Sequence, residues 1–338
     1  MDEATFRILD ILSREMGSEL SIHQLTFKIK ELYGTGYYAR TYNKLIELSK
    51  HGLVTITKAG RSSIPSLNFQ SYSLLDTLSE IEIRKKREFL EALIPLRSLL
   101  IDIESFAYDD PRIGSISLTS PARNARLNRA ELLILARDSS KTTSIHRTIN
   151  KIQSRHSIRT DALLLSNEEF MELLASDEVN PVREMLSDKI AIYAPQTFWA
   201  EIGKALQKGI RTKLLDRETN PARVTESNLV FNLGRFGYRE LGPKMEEGKK
   251  ICIEYVIASI LMQGDARRIN SIHILLSKNA VNYNLMAFLA QKYGVSTELL
   301  KILRTARKTS EDEKISAIIE ELTATQNSAD RNSVALGT

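Results

Sequence analysis

The 338-residue sequence predicts a multidomain α+β protein. Three observations lead to this class. Residues 1–71 combine helical apolar spacing with a β-branched hairpin, strand and helix patterns alternate in 105–200, and helical patterns fill 201–324. A helical linker over 72–104 joins the first two parts, and the small polar residues 325–338 are expected to be disordered.

The N-terminal segment carries three short helical patterns followed by a hairpin. ATFRILDILSRE has apolar residues at helical spacing, Ser21 can cap a second helix that ends at Gly34, and a third helix runs from near Gly36 to Gly52. LVTIT and IPSLNF then flank the turn sequence KAGRSS. This order predicts a winged helix-turn-helix, whose third helix enters the DNA major groove while the hairpin lies on the backbone.

The DNA-binding candidates are side chains expected on the outer face of the third helix and at the hairpin tip. They are Tyr37, Tyr38, Arg40, Thr41, Lys44, Lys58 and Arg61, while Leu45, Ile46 and Leu48 are expected to face inward. Arginine can read guanine edges, and hydroxyl groups and lysine can hold phosphates. Nine basic and seven acidic side chains leave this segment a net charge of only +2. A winged helix that binds a protein is therefore the alternative.

The predicted linker has apolar positions three and four residues apart, which indicates one long helix or two, bent near Pro95. A helix of this kind can also form the seam of a homodimer. The basic run RKKR at 84–87 either touches a DNA backbone or faces solvent. A homodimer is expected, because two winged helices roughly double the phosphate contacts and match a two-fold operator.

The basic residues are concentrated in the middle of the chain. Residues 112–159 hold ten lysine and arginine side chains against two acids, Glu131 and Asp138, a net charge of +8. Such an excess is an electrostatic footprint for phosphates or another acidic partner. The alternative is a solvated basic face that acids elsewhere in the fold balance.

Residues 105–200 read as an α/β domain. ISLTS, ELLILAR, TDALLLS and KIAIYA are strand patterns, and TSIHRTINKIQSRH and NEEFMELLASD are helical patterns between them. Within this region TSPARNARLNRAELLIL, residues 119–135, places a small-residue pair and an arginine-rich loop before an acid that opens an apolar strand. Nucleotidyl transfer needs two or three carboxylates that hold paired divalent metals, and a small-residue turn upstream that binds the triphosphate.

This stretch resembles the signature of minimal nucleotidyltransferases, the DNA polymerase β-like superfamily. Thr119-Ser120 falls on the family's Gly-Ser pair, Glu131 on its first acid, Leu133 on its second and Asp161 on its third. With a winged helix before it and helices after it, the chain resembles archaeal proteins of the same arrangement. The resemblance implies a nucleotidyltransferase-like α/β domain.

The departures from this signature indicate a degenerate site without catalytic residues. Leu133 cannot ligate a metal, and Thr119 hinders close approach of the backbone to a phosphate. The candidate phosphate-binding residues are Ser120, Arg123, Arg126 and Arg129, since a basic loop attracts phosphate and repels divalent cations. In the alternative, Glu131 merely pairs with a nearby arginine and nothing binds. No metal or cofactor is expected, and Mg²⁺ enters only if the enzyme alternative holds.

Other features of the sequence bear on disulfides, membrane insertion, cellular location and nuclease activity. The single cysteine, Cys252, cannot form an intrachain disulfide, and ICIEYVIASILM is too short to span a bilayer and predicts a buried core helix. No signal peptide is recognised, so a cytoplasmic location is expected.

Arg268 and His273 have the spacing of the R-x4-6-H motif and resemble the pair of HEPN-domain ribonucleases, but such a short motif also arises by chance.

The sequence therefore favours a DNA-binding regulator of transcription, a homodimer that reads double-stranded DNA and carries a pseudoenzyme domain. That domain would serve as a ligand- or phosphate-binding or assembly module, with RNA or a nucleotide as further candidate ligands. One alternative is an active metal-dependent nucleotidyltransferase that acts on RNA, protein or a small molecule. A second is an RNA-associated or antitoxin-like binding module.

Overall fold

The protein is a mixed α+β chain in which an N-terminal group of helices, a four-stranded sheet and a C-terminal group of helices share their packing. A computed structural model describes residues 1–122, 129–137, 142–156, 158–210, 220–240, 245–308 and 314–323. The predicted coarse class, α+β, is confirmed. The tail at 325–338 lies outside the described residues.

The N-terminal part has the predicted order of three helices and a hairpin. Its elements are α1 Glu3–Arg14, α2 Ile22–Tyr33, α3 Tyr38–Lys50, β1 Val54–Ala59 and β2 Ser62–Leu67. Ser21 caps α2 in a capping box with Gln24, and Gly34 ends the helix in the left-handed conformation. The turn is shorter than predicted, because Ala59 already pairs with Ser62 and only Gly60 and Arg61 lie between the strands.

Two helices follow, α4 Tyr72–Ala92 and α5 Ile94–Asp109, and they meet at Leu93, close to the predicted bend. Helix α5 extends beyond the predicted end of the linker at residue 104. Its residues Leu99 and Ile103 are buried in one core with the strands that follow. This helix is therefore part of the α/β core, because it covers one apolar face of the sheet.

The sheet contains the four predicted strands. They are β3 Ile113–Thr119, β4 Arg129–Ala136, β5 Arg159–Ser166 and β6 Lys189–Tyr193, in the spatial order β5-β4-β3-β6. Strand β4 runs parallel to β5, whereas β3 is antiparallel to β4 and to β6. The connecting helices are α6 Thr142–Gln153, α7 Asn167–Ala175 and α8 Pro181–Ser187.

Both faces of the sheet are buried, because side chains alternate along each strand. Leu132 and Ile134 point into the core that contains α5 and α6. Leu133 and Leu135 point into a larger core, which extends into the N-terminal and C-terminal helices. The row of residues that carries Leu133 is therefore enclosed between the two helical parts.

Side chains of α4 bond to the backbone of β6, an edge strand. The Ala191 N–H donates to Glu82 at 2.8 Å, while Lys85 donates to the Lys189 carbonyl at 2.8 Å and Lys86 to the Ile192 carbonyl at 3.0 Å. These bonds fix α4 against the sheet, and α1 also packs on α4.

The C-terminal part is helical, with one exception. Its helices are α9 Pro195–Gln207, α10 Glu226–Arg235, α11 Ile253–Gln263, α12 Ala266–Lys278, α13 Tyr283–Tyr293, α14 Ser296–Arg307 and α15 at 314–323. The prediction that 201–324 is helical throughout is wrong for the described residues between Phe236 and Cys252, where Ile251 forms a single parallel bridge with Val179. The buried helix predicted in ICIEYVIASILM is α11. Among the described residues, no helix is long and apolar enough to cross a membrane.

Candidate nucleic-acid interface and the sheet carboxylates

Helix α3 presents an aromatic and basic surface to solvent, which we call the α3 surface: Tyr37, Tyr38, Arg40 and Tyr42. The exposed fractions of the three tyrosines are 62%, 52% and 41%. The rings of Tyr38 and Tyr42 stack with centroids 6.3 Å apart, and the Arg40 guanidinium lies 5.6 Å from the Tyr37 ring centroid. Sequence reasoning missed Tyr42, although its position four residues after Tyr38 places both on one helix face.

Two predicted DNA contacts on α3, Thr41 and Lys44, are less accessible than the sequence predicts. Thr41 is only 5% exposed, because it shares the inward face with Leu45 and Leu48 and packs into the N-terminal core. Lys44 donates to Asp2 at 2.7 Å and to Glu47 at 2.8 Å, and these bonds raise the pKa of its ammonium. Thr41 is therefore too buried to contact a phosphate, and Lys44 would have to leave two ion pairs to do so. Ile46, expected to face inward, is only partly buried.

The hairpin tip carries the other two predicted contacts. Lys58 is near the end of β1 and Arg61 is in the two-residue turn, and both are exposed. Gly60 has a φ of 59°, which suits the first position of a tight hairpin turn. The turn therefore carries both basic side chains at the end of the hairpin, where they can reach a DNA backbone.

Glu131 and Asp161, which we call the carboxylate pair, lie side by side in one row across the sheet. In this row Lys189 of β6 pairs with Thr119 of β3, Thr119 with Glu131, and Glu131 with Asp161 of β5. All four side chains are buried. The sequence resemblance thus selected three residues that the sheet brings together: Thr119, Glu131 and Asp161.

The carboxylate pair contacts cations of the protein itself. Arg129 forms an ion pair with Glu131, Lys292 of α13 places its ammonium 3.6 Å from the same carboxylate, and the Nε of Arg159 donates to Asp161 at 3.0 Å. Arg159 also donates to the Gln291 carbonyl of α13. Leu133, at the position of the second acid, is buried on the same face and supplies no oxygen.

The candidate phosphate-binding residues are only partly described. Ser120 has a φ of 46°, and its N–H donates to the Asp188 carbonyl at 2.7 Å, so that amide is not free for a phosphate. The guanidinium of Arg129 pairs with Glu131, as in the alternative in which the acid simply pairs with a nearby arginine. Arg123 and Arg126 lie outside the described residues.

A buried ionic cluster, which sequence reasoning missed, joins the N-terminal helices to β6. Lys85 of α4 lies 3.2 Å from the Asp10 carboxylate and 3.5 Å from that of Glu82, and Glu82 lies 3.3 Å from the ammonium of Lys189. Burial lowers the pKa of Lys189 from its ordinary value of 10.5 to about 8, against the attraction of Glu82. Burial alone would raise the pKa of Glu82, but Lys189 and Lys85 hold it below its ordinary value.

The arginine of the R-x4-H motif is engaged in ion pairs. Arg268 donates to Glu240 at 2.7 Å and also to Glu226, and these two acids raise the pKa of its guanidinium. A guanidinium shared between two carboxylates is not available to stabilise a phosphate. The ribonuclease interpretation of Arg268 and His273 therefore has no support in the geometry of Arg268.

Comparison of the chain with family models, curated proteins and solved structures returns no match. Within the described part of the chain, no group of three or more histidine, cysteine, aspartate or glutamate side chains is placed to hold a metal ion.

Proposed function

We propose that the protein is a DNA-binding regulator. Residues 1–71 act as a winged helix-turn-helix in which α3 enters the major groove and the β1–β2 hairpin lies on the backbone. The observation that carries this proposal is the α3 surface, where Arg40 lies beside the exposed Tyr37 ring and two further tyrosines, Tyr38 and Tyr42, are exposed on another side of the helix. Among the described residues, Arg40 has no carboxylate partner, so its guanidinium is free to bind a base edge.

The revised set of DNA contacts is smaller than the sequence predicted. Tyr37, Tyr38, Arg40 and Tyr42 contact the major groove, while Lys58 and Arg61 contact phosphates. Tyrosine hydroxyls donate to phosphate oxygens, and arginine forms paired hydrogen bonds with guanine. Thr41 is buried on the inward face of α3, and Lys44 pairs with Asp2, so neither is part of this set.

We propose that the α/β part is a degenerate nucleotidyltransferase-like domain without transferase activity. The support is the carboxylate pair, whose charges Arg129, Arg159 and Lys292 already offset. A divalent metal at this place would have to displace buried ion pairs and would find two acids where the family uses three. In this proposal the domain is an assembly module that joins the winged helix to the C-terminal helices.

A homodimer is part of the proposal, with the outer surfaces of α4 and α5 as its seam. These helices line a groove of about 620 Å³ whose walls include the exposed apolar side chains Ile83, Ile101 and Tyr108. Arg87 and Glu91 lie in the same groove. Because one patch carries both signs of charge, two copies related by a two-fold axis can pair Arg87 of one with Glu91 of the other.

The test is to sequence genomic fragments that the purified full-length protein retains at moderate salt, with an RNA pool as competitor. Discrete duplex sites, above all inverted repeats, are the expected result. Diffuse retention of DNA, or loss of all DNA to the RNA pool, would overturn the regulator proposal. An Arg40→Ala variant in parallel identifies the surface that reads the sites, since it should lose them while Lys44→Ala keeps them.

A further inference from the structure

Helix α6 carries a line of exposed basic side chains, which we call the α6 stripe: Arg147, Lys151 and Arg155. All three are exposed. Arg147 and Lys151 are four residues apart, so they share one helix face about 6 Å apart along the axis, and Arg155 continues this spacing in the turn after the helix. Ile145, Ile149 and Ile152 lie on the opposite side, in the core that this helix shares with α5 and the sheet. The stripe is therefore a fixed row on the outer surface of the α/β part.

The charges of the stripe are not balanced locally. The sequence has no acidic residue between Asp138 and Asp161. Among the described residues, no carboxylate forms an ion pair with Arg147, Lys151 or Arg155. By contrast, Arg112 pairs with Asp110, Arg129 with Glu131 and Arg159 with Asp161. Part of the basic excess of the central region thus remains open to a partner along this row.

Helix stability does not explain the stripe. A basic side chain in the last turn of a helix stabilises the carbonyl end of its dipole, and this accounts for Lys151. Arg147 lies in the middle of α6, where that effect has decayed, and Arg155 lies beyond the end of the helix at Gln153. Two of the three basic side chains therefore lie outside the last helical turn, where the helix dipole would stabilise them. Binding of an extended polyanion accounts for the whole row.

The chemistry of the stripe favours duplex DNA over single-stranded nucleic acid. Proteins that bind single strands place aromatic side chains beside the basic groove so that bases can stack on them. Residues 142–156 contain no phenylalanine, tyrosine or tryptophan. Evenly spaced cations without an aromatic platform match the phosphates of a duplex backbone, which carry no sequence information.

We propose that the α6 stripe is a second, sequence-independent contact surface for the backbone of duplex DNA. It is separate from the α3 surface, because α6 packs on α5 and β5 whereas α3 packs on α1, α2 and β1. The inference rests on the proposed DNA-binding function. It adds that one chain holds DNA at two places, one that reads sequence and one that contributes affinity alone.

The experiment compares the full-length protein with a variant that carries Arg147→Gln, Lys151→Gln and Arg155→Gln. Binding to a random-sequence duplex is followed by fluorescence anisotropy over a series of salt concentrations. Each lost phosphate contact lowers the slope of log K against log salt by about 0.9, so the triple variant should show a slope smaller by about 2 to 3. A matched control carries Lys301→Gln, Arg307→Gln and Lys308→Gln, which remove three exposed charges from α14 and its end.

The outcomes separate this inference from the regulator proposal. If the stripe variant and the α14 control show the same slope and affinity, the stripe is not a DNA contact, whatever Arg40→Ala does. A second outcome is a smaller slope of log K against log salt for the stripe variant while the protein retains no discrete genomic site. In that case the stripe inference holds and the proposal of a sequence-specific regulator fails. If the stripe matters only for a single-stranded RNA titrated in parallel, the duplex inference is overturned. Equal melting temperatures of the variants ensure that each comparison is made on folded protein.

Discussion

The ammonium of Lys292, on α13, lies 3.6 Å from the carboxylate of Glu131, on β4. This contact crosses from the C-terminal helices to the sheet, at the place where the resemblance to nucleotidyltransferases would put the first metal-binding acid. Both side chains are buried. A lysine therefore supplies positive charge where an active enzyme of that family would need a divalent cation.

Replacing Lys292 with methionine should destabilise the protein. The substitution keeps the length of the side chain but removes one of the two cations at Glu131, so a buried carboxylate loses part of its compensation. We expect a loss of about 2 to 4 kcal/mol in the free energy of unfolding, measured with urea. Lys301→Met, at an exposed position of α14, should change it by less than about 0.5 kcal/mol. Equal effects of the two substitutions would contradict the assigned contact.

The wild-type protein should not transfer nucleotides. Incubation with Mg²⁺ and labelled nucleoside triphosphates should label neither RNA nor protein, because Arg129, Arg159 and Lys292 offset the carboxylates that a metal would need. Addition of Mg²⁺ should also leave the melting temperature unchanged, since a ligand that binds the folded state would raise it. Turnover that Glu131→Gln or Asp161→Asn abolishes would refute this prediction.

Affinity for DNA should depend on Arg40 of the α3 surface and much less on Lys44 of the same helix. Loss of a guanidinium that binds a base edge costs about 1 to 3 kcal/mol, so Arg40→Ala should weaken binding to a retained duplex site by about 5- to 150-fold. Lys44 already bonds to Asp2 and Glu47, so Lys44→Ala should change the affinity by less than about threefold. Fluorescence anisotropy on the same duplex compares the two. A larger loss for Lys44→Ala would show that α3 docks on a different face.

The buried ammonium of Lys189 should make stability depend on pH in the alkaline range. Its pKa is about 8 in the folded protein and returns to 10.5 when the chain unfolds. Between these values the unfolded chain binds more protons, so this group makes the folded state more stable as the pH rises. Well below pH 8 both states are protonated and the contribution of Lys189 no longer changes.

Unfolding of the wild type and of Lys189→Met, measured from pH 8 to about 9.5, tests this effect. Tyr33, next to Asp10, is present in both proteins, so its contribution near the upper end of this range cancels in the comparison. The stability of the wild type relative to the variant should rise by up to about 1.4 kcal/mol per pH unit. Lys204→Met, on the exposed side of α9, serves as the control. Parallel pH curves for the wild type and Lys189→Met would rule out the lowered pKa.

Dimerisation through α4 and α5 predicts that two acidic substitutions in the groove separate the copies. Ile83→Glu combined with Ile101→Glu places charge on both walls, so size-exclusion chromatography with light scattering should show a dimer for the wild type and a monomer for the variant. Ile274→Glu, at another exposed apolar position on α12, should leave the dimer intact. A monomeric wild type would remove the homodimer from the proposal.

Local signals made much of the fold predictable. The four buried strands follow apolar runs, and Ser21 and Gly34 delimit α2 by chemistry that acts within a few residues. The inward position of Thr41 was not predictable, because the rotation of α3 is set by its packing on α1 and α2. Lys292, the partner of Glu131, and Lys85, the partner of Asp10, are distant from those acids in the sequence. No periodic pattern encodes such pairs, since only the folded topology brings them together.

The bonds from α4 to β6 have a consequence for how the protein behaves when it is concentrated or newly synthesised. An edge strand with open amides and carbonyls is a template on which a strand of another molecule can add. Glu82, Lys85 and Lys86 occupy these groups at Ala191, Lys189 and Ile192. The side chains of α4 thus make hydrogen bonds that a fifth strand would otherwise make. They protect this edge of the sheet from intermolecular strand addition for as long as α4 stays docked.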